Sequence, residues 1–232
     1  ARGILAGRGI DGGTLRRFRL GFALPGALAA VLATYPASLR EAAGEAGLYV
    51  TGRDGRPREL LSGRIIFPDL QRNSSAVHLV GRALAPGAAA AVKYLALAGL
   101  PRTVWGLARA RRSNPLILTE STIDAVNLLQ MGLQGAAVGG TGLPAHQLPG
   151  LKRHLVVILP QDDPPGRAAA ERWRETLPGA RVLDGYRFEE GEKDLNDRVC
   201  RVGLGAAKTA LLAALDAAGV QVAAGEPGAA DG

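Results

Sequence analysis

Acidic side chains recur in the second half of the chain where short predicted strands end. The residues that follow these strands are Glu120, Asp162, Asp163 and Asp194. Asp124 lies four residues after Glu120, on the first turn of a predicted helix, so both carboxylates can share one face. Asn196 adds an amide oxygen beside Asp194. Oxygen donors without histidine or cysteine suit a hard cation, Mg²⁺ or Mn²⁺, and two such ions can polarise a phosphate and hold its leaving group.

Each acid taken alone also has an ordinary structural interpretation. Glu120 could cap the following helix, and Asp124 could be a solvated helix acid. Asp162 and Asp163 could be turn residues before Pro164, and Asp194 could lie in a loop. Their recurrence at successive strand ends favours the metal-site interpretation, because sites in open α/β sheets gather at the carboxyl ends of strands.

The elements that must position these acids alternate between strand and helix. The predicted strands are 116–118, 135–138, 155–159 and 180–183. The predicted helices are 123–131, ended by Gly132, then 167–177 and 205–218. This order predicts a mostly parallel sheet with helices on its faces. Gly139–Gly142 lacks the Lys-Ser/Thr ending of a nucleotide-binding P-loop and is predicted to be a turn.

The first half of the chain has shorter and more basic elements. Thr14 is predicted to cap a helix containing Arg16 and Arg17, and Ser38, three residues before Glu41, to begin a helix over 38–47 that stops at Gly47. The further predictions are a loop at 52–58, paired strands at 65–68 and 77–80, an Ala/Pro/Gly connection at 83–91, and a disordered tail at 223–232.

Charge separates the two halves. Residues 1–112 hold 17 Lys and Arg against 6 Asp and Glu, whereas residues 113–232 have a balance of −4. A basic front beside an acidic back suggests a part that grips a polyanion, although an arginine-rich solvated surface would look the same. The single cysteine, Cys200, excludes a disulfide framework and a cysteine-based zinc site within this segment. No apolar run is long enough to span a membrane, and a cytoplasmic setting is expected.

Three segments resemble the TOPRIM domain. Leu118–Asp124 resembles its motif of an apolar strand, Glu-Gly, two residues and Asp; Gln161–Gly166 resembles Asp-x-Asp-x-x-Gly; and Lys193–Asp197 resembles the third acidic segment of primases. TOPRIM domains also occur in topoisomerases, recombination-mediator proteins and some nucleases, so these motifs leave the enzyme open.

The first half of the chain narrows the choice among these classes of TOPRIM protein. Its ordered segments resemble elements of DnaG-type primases, namely Arg8-Gly9-Ile10, Phe18–Phe22, Gly63–Pro68, Gly81-Arg82, Lys93-Tyr94-Leu95 and Trp105-Gly106-Leu107. The resemblance covers about residues 2–200 in the family's order. It implies an α/β fold, in which a basic mixed α+β subdomain (1–112) precedes a TOPRIM subdomain with a Rossmann-like, mostly parallel sheet (113–200), followed by a C-terminal helix and tail (201–232).

The resemblance also implies a reaction and roles for residues. DnaG-type primases join ribonucleoside triphosphates into short RNA primers on single-stranded DNA. By carry-over, Glu120, Asp124 and Asp163 would be catalytic, Glu120 being the best candidate for acid/base work; Glu120, Asp162, Asp163, Asp194 and Asn196 would hold or neighbour magnesium. Phosphate or template contacts would come from Arg64, Arg82, Lys93, Tyr94 and Arg102, with Arg16 and Arg17 as weaker candidates. A replicative helicase and a zinc-binding module upstream of this segment are the implied partners.

Four positions depart from the family pattern. Gln161 occupies the position of the first acid in Asp-x-Asp, and Ser121 occupies that of the motif glycine. Ala96 is found where the family has an asparagine, and Leu100, near Arg102, where it has a second lysine. A neutral Gln161 should weaken metal binding unless Asp162 replaces it. Two alternatives therefore stay open: a catalytically degenerate TOPRIM module that binds nucleic acid, and another TOPRIM enzyme such as a nuclease or topoisomerase fragment.

Overall fold

The structure of the chain, a computed structural model, describes residues 2–84 and 92–222. Most of the predicted connection at 83–91 and the predicted tail at 223–232 lie outside the described residues. The chain divides into two units: Ala1–Ile4 with Leu15–Arg102, and Leu5–Thr14 with Thr103–Gly232. Within the described ranges, no helix has both the length and the apolar character to cross a membrane.

The first unit contains an antiparallel sheet whose strands run in the order β1-β4-β5-β6. The elements from the start of the chain to this sheet's last strand are α1 (Arg2–Ala6), α2 (Gly12–Arg17), β1 (Gly21–Phe22), α3 (Ala27–Ala33), α4 (Ala37–Glu45), β2 (Tyr49–Thr51), β3 (Pro57–Glu59), β4 (Arg64–Leu70), β5 (Ala76–Ala83) and β6 (Tyr94–Ala96). Ile65 and Phe67 of β4 lie in the core, and the strand is buried at every position from Phe67 to Leu70. The predicted pairing of 65–68 with 77–80 is confirmed in register, with Phe67 opposite Val80.

Two predicted helix starts are wrong. Asp11, not Thr14, caps α2, which begins at Gly12, because the Asp11 carboxylate accepts a hydrogen bond of 2.6 Å from the Thr14 N–H. The helix α4 begins after Pro36 without a side-chain cap, so the Ser38 capping box does not form. The predicted stop at Gly47 is confirmed, since Gly47 has a φ of 78° just after the helix end. The predicted loop at 52–58 is shorter, because β2 and β3 pair across it.

The second unit is built on a four-stranded sheet in the order β10-β9-β7-β8, in which every pairing is parallel. Its elements are β7 (Leu116–Thr119), α5 (Thr122–Gln130), β8 (Gln134–Ala137), α6 (Leu148–Leu151), β9 (Val156–Ile158), α7 (Pro164–Thr176), β10 (Arg181–Val182) and α8 (Leu195–Ala217), with short 3₁₀ turns at Leu107–Arg109 and Ala145–Gln147. The predicted α/β fold with a parallel sheet and a C-terminal helix is confirmed.

The apolar strands explain why this sheet is covered on both faces. Ile117 packs in a cluster with Leu211 of α8, whereas its neighbours Leu116 and Leu118 pack with Trp173 of α7. Successive side chains of a strand point to opposite faces, so a continuous apolar run requires helices on both sides.

Two helices extend beyond their predicted bounds. The helix α7 begins at Pro164 rather than at 167, because proline is tolerated in the first helical turn, where its missing N–H has no partner to lose. The helix α8 begins at Leu195, ten residues before the predicted start. It is broken at Gly203, whose φ of 82° and ψ of 161° interrupt the helical backbone.

Candidate active site

Glu120 lies at the carboxyl end of β7, half-buried. Its carbonyl oxygen accepts a hydrogen bond of 2.9 Å from the Gly139 N–H, which fixes the backbone beside the Gly139–Gly142 turn. Ser121 is the N-cap of α5, since its hydroxyl accepts a hydrogen bond from the Ile123 N–H, 3.3 Å away. The serine at the motif glycine therefore has a structural use, and the alternative of Glu120 as the cap is wrong.

Asp124 is buried, with only 2% of its surface exposed. Its Oδ1 accepts a hydrogen bond of 2.9 Å from the Asn196 N–H across 72 residues of sequence. The alternative of a solvated helix acid is therefore wrong, because this carboxylate ties the first turn of α5 to the start of α8.

Asp163 is the N-cap of α7. Its Oδ1 accepts a hydrogen bond of 2.7 Å from the Gly166 N–H. A Cβ at Gly166 would lie 2.7 Å from the Gln161 Cβ, so this cap needs glycine at that position. Asp162 is more exposed, and its carboxylate forms an ion pair of 2.5 Å with Arg167.

Asp194 is the N-cap of α8, which lies after β10. Its Oδ1 accepts a hydrogen bond of 2.9 Å from the Asp197 N–H. Burial raises the pKa of Asp194 above its ordinary value, and the nearby Asp197 carboxylate adds to the rise. Asn196, two residues on, is buried; its Oδ1 accepts from the Arg8 guanidinium at 3.0 Å and its Nδ2 donates to the Arg8 carbonyl at 2.7 Å.

The segment Arg8–Asp11 is anchored by residues whose role sequence reasoning missed. Gln130, at the end of α5, donates to the Gly9 carbonyl at 2.7 Å and accepts from the Asp11 N–H at 2.9 Å. A Cβ at Gly9, which has a φ of 73°, would lie 2.6 Å from Val199. The family resemblance at Arg8-Gly9-Ile10 was the one signal for this segment, and the structure gives that motif a packing reason.

A second missed group precedes Asp194. The Glu192 side chain is 1% exposed and accepts hydrogen bonds from Arg198, at 2.6 Å, and from Arg201. Arg201 also pairs with Glu189, 2.8 Å away. Burial alone would raise the pKa of Glu192, but hydrogen bonds from Glu189, Arg201 and Arg198 hold it below its ordinary value. This network fixes the loop that leads into Asp194.

The acids are of the right chemical type to bind a hard divalent cation, but several of the predicted ligand atoms already have other hydrogen-bond partners. Glu120, Asp163 and Asp194 offer oxygen donors, and each of the two capping aspartates uses Oδ1 for its cap. Gln161 is neutral, and Asn196 Oδ1 is already engaged by Arg8. Across residues 2–84 and 92–222, no three His, Cys, Asp or Glu side chains are grouped as metal ligands.

The predicted nucleic-acid contacts lie in the first unit, and the structure brings three of them together. Arg82 and Tyr94 are opposite each other on β5 and β6, with the guanidinium 5.7 Å from the ring centroid. The Lys93 ammonium lies 5.8 Å from the same ring. We call these three residues the Tyr94 cluster. Two cationic side chains beside one aromatic ring are suited to a nucleic acid, because the cations attract phosphate and the ring offers a face on which a base can stack.

The other predicted basic residues are not part of the Tyr94 cluster, because they lie on the opposite face of the same sheet or outside that sheet. Arg64 pairs with Ala83, whereas Arg82 pairs with Ile65, so the two arginines leave the sheet on opposite faces. Arg64 donates to the Val92 carbonyl at 2.9 Å, and burial lowers its pKa. Arg16 and Arg17 are exposed in the last turn of α2, and Arg102 is exposed near the end of the unit.

Two family models match the chain. The model described as "DNA primase catalytic core, N-terminal domain" matches residues 1–99. The model described as "Toprim-like" matches residues 117–199. Together they cover the segments that carry the Tyr94 cluster and the acids.

Among curated proteins, the DNA primase of Escherichia coli K12 is 30% identical over 190 residues. The aligned part is 76% of this chain and 32% of that primase, so the chain spans about a third of the length of the curated relatives it matches.

Two solved structures show the same fold. A DnaG primase catalytic domain bound to single-stranded DNA has a TM-score of 0.71 and 25% identity, with 91% of this chain and 73% of that one covered. The Aquifex aeolicus primase, solved with its zinc-binding and RNA polymerase domains, has a TM-score of 0.74 and 25% identity, with 91% and 55% covered. The chain therefore belongs to the family of DnaG-type primases, of which it holds the N-terminal domain of the catalytic core and the Toprim-like domain.

Proposed function

We propose that this chain joins ribonucleoside triphosphates into short RNA primers on single-stranded DNA in a magnesium-dependent reaction. The observation that supports this best is the placement of Glu120, Asp163 and Asp194. Glu120 directly follows β7, and Asp163 comes between β9 and α7; β7 and β9 are neighbours in one parallel sheet, and ligand sites of α/β folds form at the carboxyl ends of such strands. Asp194 begins α8, whose first turn is joined to the first turn of α5 by the hydrogen bond from the Asn196 N–H to Asp124.

Glu120, Asp163 and Asp194 would hold the cation, which supplies positive charge to phosphate oxygens when bound. Asp163 is a better candidate than Asp162, because Asp162 is engaged by Arg167. Asp124 and Asn196 act by position: the hydrogen bond between them, together with the contacts of Asn196 to Arg8, fixes the start of α8 and hence Asp194. Glu120 remains the candidate for accepting a proton from an attacking hydroxyl.

The Tyr94 cluster is the proposed contact to template or nucleotide. Arg82 and Lys93 offer charge and several donors for phosphate, and Tyr94 offers an aromatic face. Single-stranded DNA as a partner is supported by the related catalytic domain that was solved with it. An upstream zinc-binding module is supported by the Aquifex aeolicus primase, which contains one, and a replicative helicase is proposed from the family resemblance alone.

The test is extension of a pre-annealed RNA primer on single-stranded DNA, with ribonucleotides and Mg²⁺. Primer extension avoids the initiation step, for which the zinc-binding module would be supplied as a separate polypeptide. We expect product from the chain and a loss of at least a hundredfold in Glu120→Gln, because the amide can neither hold the cation by charge nor accept a proton. Glu175→Gln, the same change on the exposed surface of α7, is the matched control and should be fully active.

Three results would reject the proposal. Absence of extension by the unmodified chain, with DNA binding retained, would favour the degenerate TOPRIM module. Loss of DNA in the presence of metal and absence of nucleotides would favour a nuclease. Equal activity of Glu120→Gln and Glu175→Gln would remove Glu120 from the site. Binding of Mn²⁺, followed by its paramagnetic resonance signal, gives a second readout that does not depend on turnover.

A further inference from the structure

A basic surface lies in the second unit, at the amino end of the parallel sheet. Five cationic side chains belong to the segments just before β7 and β9, namely Arg109, Arg111, Arg112, Lys152 and Arg153. We call them the amino-end basic surface. No aspartate or glutamate occurs in 103–119 or 125–161, apart from Glu120 and Asp124 between these ranges. The four residues of β7 separate this end of the sheet from Glu120 by about 13 Å, so the surface is distinct from the candidate site.

Backbone contacts hold the two segments side by side. The Leu116 N–H, at the start of β7, donates to the Leu155 carbonyl, just before β9, at 2.9 Å. Gln134, at the start of β8, donates to the carbonyls of Arg111 and Asn114, at 2.8 Å each. The backbone that carries the charges is thus fixed before a partner arrives, which lowers the cost of ordering on binding.

Three of the five side chains are accessible to a partner. Arg112, Lys152 and Arg153 are exposed, and none of them forms an ion pair among the described residues. An acid lies near the edge of the surface, because Asp216 of α8 lines a depression together with Ser113, which follows Arg112. Exposed cations in an otherwise acid-free stretch of the chain favour an anionic partner.

The charge of the whole unit distinguishes between anionic partners. The second unit holds 15 Lys and Arg against 16 Asp and Glu, a net charge of −1. Exposed charges are screened over about 8–10 Å, so a short acidic segment responds to the basic surface itself. A long nucleic acid would also extend over surrounding acids such as Asp216. Trp105, the one aromatic residue in 103–118 and 143–158, is buried and offers no face to an unpaired base.

An apolar side chain adjoins the cations. Leu155, two residues after Arg153, is 41% exposed. A phosphate gains nothing from contact with leucine, whereas an apolar side chain of a peptide would remove both groups from water. The combination of exposed cations and an exposed leucine therefore favours a protein segment over a nucleic-acid backbone.

We propose that the amino-end basic surface binds a short acidic segment of a partner protein, and that the segment carries an apolar side chain that covers Leu155. Exposed ion pairs are individually weak, so several carboxylates would act together on Arg112, Lys152 and Arg153. The inference does not rest on the proposed polymerisation, because it needs neither metal, template nor nucleotide.

The test is fluorescence anisotropy of a labelled peptide, Gly-Asp-Glu-Leu-Asp-Asp-Leu-Glu-Asp-Gly, at low salt with the whole chain. We expect the peptide to bind, and the double variant Lys152→Glu/Arg153→Glu to weaken its binding about tenfold, because two attractions become repulsions. Arg53→Glu/Arg56→Glu makes the same change of charge at exposed positions between β2 and β3 and should bind as the unmodified chain does.

A second peptide, in which serine replaces both leucines, tests the apolar contact. Leu155→Ser should weaken binding of the leucine peptide several-fold and leave binding of the serine peptide unchanged. Leu155 contributes its backbone to the sheet and exposes its side chain, so this variant should fold.

Three results would overturn the proposal: absence of peptide binding, equal loss of binding in the two double variants, or an equal effect of Leu155→Ser on the two peptides. Single-stranded and double-stranded DNA are titrated against the same variants. A loss of DNA affinity in Lys152→Glu/Arg153→Glu beyond that in Arg53→Glu/Arg56→Glu, without a matching loss for the peptide, would assign the surface to nucleic acid instead. Primer extension by Lys152→Glu/Arg153→Glu should equal that of the unmodified chain, so the two proposals can fail separately.

Discussion

His78 is a buried side chain of β5 that has no apparent use in the candidate site. It is 1% exposed, and neither ring nitrogen has a hydrogen-bond partner among the described residues. Asp69, also buried, lies opposite it on β4. Burial lowers the pKa of His78 below its ordinary value of 6.5, because the charged ring is poorly solvated there. The folded state therefore keeps this imidazole neutral at a pH at which the unfolded chain would protonate it.

This difference predicts a pH-dependent loss of stability. As the pH falls below about 6.5, the unfolded state binds a proton that the folded state does not, so the free energy of unfolding decreases toward pH 5. We expect His78→Leu to raise the free energy of unfolding by about 1–3 kcal/mol at pH 7, since it removes buried polar atoms without partners. The gain should be larger at pH 5.

Urea unfolding at pH 7 and pH 5 measures both effects. His146→Gln, a change of an exposed histidine, is the control and should keep the pH dependence of the unmodified chain. A gain from His78→Leu that is the same at both pH values would contradict the assignment of this pH dependence to His78.

At the scale of elements, three side chains of the TOPRIM motifs begin helices. Ser121, Asp163 and Asp194 are the N-caps of α5, α7 and α8. Each accepts a hydrogen bond from a backbone N–H that would otherwise lack a partner in the first helical turn. For the two aspartates, a structural role and the proposed metal role thus reside in the same carboxylate.

Two substitutions at Asp194 separate these roles. Asp194→Asn should keep the cap, because asparagine caps about as well as aspartate, whereas Asp194→Ala should lower the free energy of unfolding by about 1 kcal/mol. Both should abolish most primer extension, since both remove the charge that would hold the cation. Urea unfolding and the extension assay are the measurements, and an active Asp194→Asn variant would show that the position serves the helix alone.

The sequence predicted the strands and helices of the parallel sheet because their apolar patterns are local. The predictions from sequence were wrong where one local pattern is compatible with two different structures. The start of α7 was predicted at residue 167, although proline is suited to the first turn of a helix and the helix begins at Pro164. Ser38 and Glu41 have the spacing of a capping box, yet Pro36 precedes the helix start and no side-chain cap forms.

The sequence suggested candidate residues for a metal site, but it did not predict the contacts that hold them. That Glu120, Asp163 and Asp194 form one site stays a prediction. The pairing of Asn196 with Arg8 spans 188 residues, and no local pattern specifies such a contact. The buried network around Glu192 was missed for a different reason: a charged segment is typical of the protein surface, and nothing in its sequence indicates that Glu192 is buried.

At the scale of the whole molecule, charge is divided between the two units. The first unit holds 13 Lys and Arg against 5 Asp and Glu, a net charge of +8. Binding to a nucleic acid through such a surface releases counterions, so the affinity should fall steeply with salt. The slope reports how many phosphates are neutralised, not how many basic residues the chain has.

We predict that Arg82→Ala lowers the slope of log affinity against log salt for single-stranded DNA by about 0.7, the loss of one phosphate contact. Arg53→Ala, in the turn between β2 and β3, removes the same charge from another sheet and should leave the slope unchanged. Fluorescence anisotropy over a range of salt concentrations is the measurement. Equal slopes for the two variants would remove Arg82 from the DNA contact.

The two outer strands of the parallel sheet have a consequence for the behaviour of the chain at high concentration. At one edge, β10 has only two residues, and at the other edge Trp105 exchanges both backbone hydrogen bonds with Ala137 of β8, at 2.9 Å each. A long unpaired edge would offer a template to the strand of another molecule. Because one edge is very short and the other partly closed, this sheet is poorly suited to recruiting further copies into amyloid-like stacks, even though its strands are apolar.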